Sequence, residues 1–193
     1  APIAFFAYNR PEHTRQVLES LYRNKLADES RLWIYVDGPK PNATEETLKK
    51  IEEVKKVVRE KKWCKEVTIV EAVANKGLVK STIEGITKMV NEFGKVIAME
   101  DDGLVSPGFL KYMNDALDFY EHNPRVMHIS AYARPDLAGA EVKESTYFFY
   151  HTTTWGWGTW KRAWDKFTPD AMVVREAIKK KGNIKKLNMD GTF

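Results

Sequence analysis

Apolar runs too short to be helices alternate with longer amphipathic segments through the first two-thirds of this chain, and that alternation restricts the folds open to it. Residues 2–8, 32–36, 67–70, 96–99 and 126–130 are apolar stretches of strand length. Between them lie 12–23, 44–61, 78–93 and 109–122, where apolar residues recur at helical spacing, as Val17, Leu18 and Leu21 do. Strands alternating with helices of this length argue βαβ units and a mostly parallel sheet with helices on both faces. After Tyr132 the rhythm changes. Residues 133–144 read as loop, and 146–150 as a strand expected antiparallel at the sheet edge. The block Trp155-Gly156-Trp157-Gly158-Thr159-Trp160 reads as the lead-in to a helix through Phe167, and 170–181 as a last helix. The expectation is one α/β domain over 1–193, with a mixed C-terminal edge.

Composition narrows the class. A chain of 193 residues, 43% hydrophobic, buries a real core. No apolar run approaches membrane-spanning length and no secretory pattern opens the chain. The single cysteine, Cys64, leaves no internal disulfide and no zinc cluster, which fits a reducing cytosol. The net charge of +4 owes much to Lys179-Lys180-Lys181 and Lys185-Lys186. Elsewhere, as over 49–62, basic residues ride helices with interleaved glutamates, and no stacking aromatics accompany them. That is a solvated face, and nucleic acid is not an expected partner. The basic C-terminal stretch suits anionic lipid, so the expected location is cytoplasmic with peripheral contact at the inner face of the membrane.

The run 96–99 ends abruptly in Glu100, Asp101 and Asp102. A buried strand that ends this way places three acids at the carboxyl end of the sheet, the edge where open α/β sheets bind ligands. Three adjacent carboxylates repel one another, and a hard divalent cation held by one or two of them plus substrate phosphates relieves this. The plainer reading is an acidic turn before a helix, with Ser106 as cap and Pro107 at the first helical position.

The other strand ends carry chemistry as well. The first runs into Tyr8-Asn9-Arg10-Pro11, where Asn9 and Pro11 suit a helix start and Arg10 would meet a phosphate or a base. The second ends at Asp37-Gly38, either a tight turn or a carboxylate accepting from ribose or a base N–H. The third is followed by Asn75-Lys76-Gly77-Leu78, a turn or an anion site at a helix N-terminus. No glycine-rich dinucleotide or P-loop signature is present. Tryptophans 155 and 157 offer flat faces for sugar rings, whereas Trp160 and Trp164, four apart, are expected to pack inward. None of the four scattered histidines has metal-ligand spacing.

The succession Tyr-Asn-Arg-Pro, Asp-Gly, Asn-Lys-Gly-Leu, Glu-Asp-Asp and Ser-Pro-Gly-Phe, with the tryptophan block, resembles GT-A-fold glycosyltransferases. It is closest to bacterial family-2-like sugar transferases and more distantly similar to N-acetylglucosaminyltransferase I. The resemblance implies the nucleotide-diphospho-sugar transferase fold, with 1–102 as the nucleotide-binding half and 103–193 as the acceptor-side half. It implies an inverting transfer from a UDP-linked sugar to a hydroxyl of a glycan or lipid-linked glycan, with Mn²⁺ or Mg²⁺. Residues Tyr8, Arg10, Asp37, Lys76 and Asp101 would line the nucleotide, Asp102 would hold the metal, and Trp155 and Trp157 would face the acceptor. Gly103 stands where relatives carry a branched apolar residue. Asp136, Asp165 and Asp190 sit in no motif for a general base, and the sequence is expected to stop short of that residue. A sugar nucleotidyltransferase is the nearest rival, but it would carry a glycine-rich basic loop after the first strand. A Mg²⁺-dependent receiver-like domain and a turnover-poor sugar- or nucleotide-binding domain are the others.

Overall fold

A computed structural model describes residues 1–132, 146–148 and 152–180. Six strands form one sheet: β1 (Ile3–Ala7), β2 (Arg31–Val36), β3 (Glu66–Glu71), β4 (Lys95–Glu100), β5 (Ile129–Ser130) and β6 (Trp157–Trp160). Their order across the sheet is β3-β2-β1-β4-β6-β5. The first four are parallel to one another, with Phe5 opposite both Ile34 and Met99. Strand β6 runs antiparallel to β4 and to β5. The helices are α1 (Pro11–Tyr22), α2 (Glu45–Val57), α3 (Leu78–Phe93), α4 (Phe109–Phe119), α5 (Lys161–Trp164) and α6 (Ala171–Lys180).

The two-residue period of the strands builds two cores. Ile3, Phe5, Ile97 and Met99 face one layer, which holds Val17, Leu18 and Leu21 of α1, Val54 and Val57 of α2, and Leu110 and Met113 of α4. Their neighbours Ala4, Phe6, Val96 and Ala98 face the other, against Ile86, Met89 and Val90 of α3. Both layers are needed because the inner parallel strands are apolar on each side. Each fully buried aliphatic side chain contributes about 2 kcal/mol to folding. Gly85 lets α3 lie close to the sheet, since a Cβ there would come within 2.8 Å of the Phe6 ring.

Three expectations from the sequence give way. The tryptophan block opens no helix directly, because 157–160 is a strand buried on both faces and α5 follows it as a single turn. Gly158 permits this, for a Cβ there would sit 3.0 Å from Met113 Cε and 3.1 Å from the Val96 carbonyl oxygen. The mixed edge comes from β6 and β5 rather than from 146–150. Residues 146–148 carry no strand, and Phe149 and Tyr150 lie outside the described residues. The helix caps also differ. Arg10, not Asn9, occupies the N-cap of α1, while Gly108 does so for α4. Asn24, remote in sequence, accepts the Leu110 backbone N–H of α4 at 2.9 Å and donates to the Ser106 carbonyl at 2.9 Å. Trp160 is a buried strand residue whose indole N–H donates to the Leu117 carbonyl. Trp164 ends α5 and stacks on Phe167.

Candidate active site at the carboxyl edge of the sheet

The chain leaves β1 toward β2 on one side, and β4 lies on the other. That reversal is a topological switch point, where a crevice opens outside the carboxyl ends of the strands. Arg10 follows β1, and the acidic triplet closes β4. Arg10 Nη2 lies 3.1 Å from Asp101 Oδ1, and Nη1 lies 3.7 Å from Asp102 Oδ2. The Arg10 side chain is 49% exposed, so it meets solvent as well as the acids.

Asp101 is only 3% exposed, yet its Oδ2 is buried without a hydrogen-bond partner. The Tyr8 backbone N–H also points toward this carboxylate. Burial pushes the Asp101 carboxyl above the ordinary carboxylate range, with Arg10 opposing and Asp102 reinforcing the shift. The Glu100 carboxyl is raised too, by burial first and then by Asp102 and Asp101. One arginine therefore faces three acids, two of them partly desolvated, and negative charge is in excess. A buried acceptor without a partner costs about 1–3 kcal/mol unless a ligand completes it.

That surplus fits a divalent cation. The Asp102 side chain keeps about a third of its surface exposed, with carboxylate lone pairs available beside the crevice. Among the described residues no three His, Cys, Asp or Glu side chains converge into a ligand set. A cation at Asp102 would therefore take its remaining oxygens from a ligand or from water, as Mg²⁺ does when it accompanies phosphates.

Asp37 is held differently from its expected role. Its carboxylate is 8% exposed and accepts four hydrogen bonds. Gly38 N–H (2.9 Å) and Lys76 N–H (2.8 Å) donate to Oδ1, while Gly77 N–H (2.9 Å) and Asn75 Nδ2 (2.9 Å) donate to Oδ2. A carboxylate offers about four lone-pair sites, and all are occupied by protein donors. In this arrangement Asp37 organises the β3–α3 turn and has no free acceptor for a base. Gly38 is required there, since a Cβ would come within 2.6 Å of the Ala72 carbonyl oxygen. Gly77, at φ 79°, begins α3 without a side-chain cap. The Lys76 Nζ turns along the helix surface to Glu84 at 2.6 Å, not toward Asp101. The structure thus joins Arg10, Tyr8, Asp101 and Asp102 in one group, and Asp37 and Lys76 in a neighbouring one.

On the other flank, Trp155 is half-exposed and meets the Tyr132 ring edge-on at 4.7 Å. Trp157 is buried in β6, directly under the ring of His128, with centroids 5.1 Å apart and planes 14° off parallel. His128 Nε2 is 3.2 Å from the Thr153 carbonyl oxygen, which only accepts, so the ring proton belongs on Nε2. Burial lowers the His128 pKa to about 4, leaving the ring neutral. Beside it the Ser130 and Thr153 hydroxyls are hydrogen-bonded, and the Tyr112 hydroxyl donates to the Ser130 carbonyl. This polar cluster was not legible in the sequence, where His128 is one apolar-strand histidine. Asp165 pairs with Lys161 on the surface at 2.5 Å, and Asp136 and Asp190 lie outside the described residues.

The sequence matches no family model and no curated protein. Among solved structures the chain is similar to the glycosyltransferase S. aureus TarS. The match to its residues 1–349 has a TM-score of 0.43 and 16% identity, over 62% of this chain and 32% of that one. A second TarS structure gives a TM-score of 0.42 and 16% identity, over 62% of this chain and 20% of that one. A likeness of that extent leaves function to be argued from the residues. Among the described residues no helix is long and apolar enough to cross a membrane.

Proposed function

We propose that this chain is a GT-A-type glycosyltransferase domain that moves a sugar from a UDP-linked donor to an acceptor hydroxyl in glycan synthesis, with inversion and with Mn²⁺ or Mg²⁺. One observation carries the reading. Arg10 and an over-acidic turn face each other across the β1/β4 switch point, with one buried carboxylate oxygen left unpartnered. A cation offsets the excess of carboxylates, and the nucleoside diphosphate it accompanies meets the exposed part of Arg10.

In this reading Asp102 holds the cation and Asp101 fixes the Arg10 fork. Arg10 then offers its remaining N–H donors to the diphosphate, a geometry guanidinium suits better than ammonium. The cation supplies charge neutralisation at the departing nucleoside diphosphate. Tyr8 lines the nucleotide beside Arg10. Asp37 acts at one remove, holding the Asn75–Gly77 turn and with it the backbone N–H groups that open α3. Half-exposed Trp155 forms the acceptor flank, a wall against which a sugar ring of a glycan or lipid-linked glycan stacks, while Trp157, expected there too, is buried under His128.

Thermal-shift titration with UDP and UDP-sugars tests this, because a ligand that binds only the native state at a hundredfold excess over its Kd stabilises by about 3 kcal/mol. The stabilisation should appear with Mn²⁺ and vanish in EDTA. Asp102→Ala should abolish the metal-dependent part. UDP affinity that is equal in Mn²⁺ and in EDTA overturns the reading.

A further inference from the structure

Helix α6 is built like a core helix but packs like a surface one. Ala171, Val173, Val174, Ala177 and Ile178 fall on one side of a helical wheel, with Arg175, Glu176 and Lys179 on the other. In α1 such a stripe is buried at Val17, Leu18 and Leu21. In α6 it is not. Val173 is 54% exposed, Met172 and Val174 are exposed, and among the described residues nothing covers them. The helix is nonetheless properly started, since Asp170 Oδ1 accepts the Met172 N–H at 2.8 Å and the Val173 N–H at 3.2 Å. A shallow groove of about 670 Å³ runs along 168–179, lined by Pro169, Val174 and Ile178 together with Arg175 and Lys179. Half-exposed Phe167 stands just before it.

Charge decides what would cover this stripe. Over 170–179 two basic side chains, Arg175 and Lys179, stand against Asp170 and Glu176, and the sequence then continues through Lys180, Lys181, Lys185 and Lys186, which makes 170–186 basic as a whole. An occupant must therefore be apolar in its depth and anionic at its surface. We infer that α6 is an in-plane docking helix for an anionic lipid surface. Val173, Val174 and Ile178 enter the boundary between headgroups and acyl chains, and Arg175 and Lys179 meet lipid phosphates. A second copy of this chain would bring the same lysine-rich sequence to the contact, and like charge opposes that pairing. The inference stands apart from the sugar-transfer reading, and its test does not use sugar transfer.

Flotation with phosphatidylcholine vesicles, with and without phosphatidylglycerol, tests it. The protein should float with the phosphatidylglycerol vesicles alone and be released at high salt. Lys179→Glu should weaken partition about fivefold or more. Val173→Asp combined with Val174→Asp should weaken it about tenfold or more. Both variants should keep the wild-type melting temperature, because the altered side chains are exposed. Absence of flotation, equal recovery with both vesicle types, or equal flotation of wild type and variants overturns the inference. So does a concentration-dependent dimer that Val173→Asp dissolves.

Discussion

Asp37 and Asp101 stand at the same edge of the same sheet, each just past the end of a parallel strand and each nearly inaccessible to water. Around Asp37 the chain supplies four N–H donors, three of them from backbone. Around Asp101 it supplies one half-exposed guanidinium, the Tyr8 backbone N–H and two further acids, and one oxygen goes unpartnered. The first carboxylate is finished by the fold and the second is not. A fully satisfied buried acid is a structural joint, whereas an unfinished one is where a ligand gains most. Position at the ligand edge is therefore not sufficient to mark a ligand contact, and the local hydrogen-bond inventory separates the two cases.

Removing the joint should have the largest effect. Asp37→Ala strands four buried or half-buried donors, and we expect a loss of about 4 kcal/mol in urea unfolding. Asp37→Asn should recover part of it, since its amide can accept at one end but opposes donors at the other. If Asp37→Ala keeps wild-type stability yet loses UDP binding, Asp37 is a direct nucleotide contact and the contrast with Asp101 fails.

Asp101→Asn should act in the opposite sense, raising the melting temperature while weakening metal-dependent UDP binding. The sign follows from linkage. An acid whose pKa is higher in the folded than in the unfolded state binds more protons when folded, so its contribution falls as pH rises from the ordinary carboxylate range through the raised value. The gain from Asp101→Asn should therefore be present at neutral pH and shrink on acidification. It must be read as a difference from wild type, because His128 imposes its own trend. Its pKa is lowered from 6.5 to about 4, so folding stability drops as pH falls through that window. The His128 contribution amounts to about 3 kcal/mol at most. His128→Phe keeps the stack on Trp157 and should flatten that part of the acid limb in a pH series of unfolding curves.

The smallest effect is expected at Lys76. Its Nζ engages Glu84 on the surface, and only its backbone N–H serves Asp37. Lys76→Ala should leave the melting temperature and UDP affinity unchanged. A clear loss of UDP binding would place its side chain in the nucleotide site and join the two groups into one.

The parallel part of the fold was readable because each strand is a short apolar run followed by a helix with a single apolar face. The helix 78–93 emerges with its expected bounds, closed by Gly94 at φ 78°. The tryptophan block misled because a strand buried on both faces has no alternation to display, and Trp160 and Trp164 share a helical spacing by coincidence. Gly158 was the available clue, since glycine inside a strand marks close approach. In the candidate site the acids and Arg10 were visible as residue types at strand ends. The role of Asp37 was not, because backbone N–H groups nearly forty residues away leave no trace in side-chain identity. Asn24 was hidden for a related reason, as a cap supplied from the turn after α1 has no local signature.

The stretch that follows the acidic turn is tied to the far end of α1. Ser20 Oγ accepts the Val105 N–H, Asn24 holds Ser106 and Leu110, and the Lys25 N–H donates to Pro107. The near end of α1 carries Arg10 as its N-cap. Twelve residues of helix, about 18 Å of rod, thus link Arg10 and the acidic turn at one end to residues 105–110 at the other. Arg10 and the stretch that follows the acidic turn are therefore registered to one another through a single helix, and lengthening α1 by one residue would shift one relative to the other.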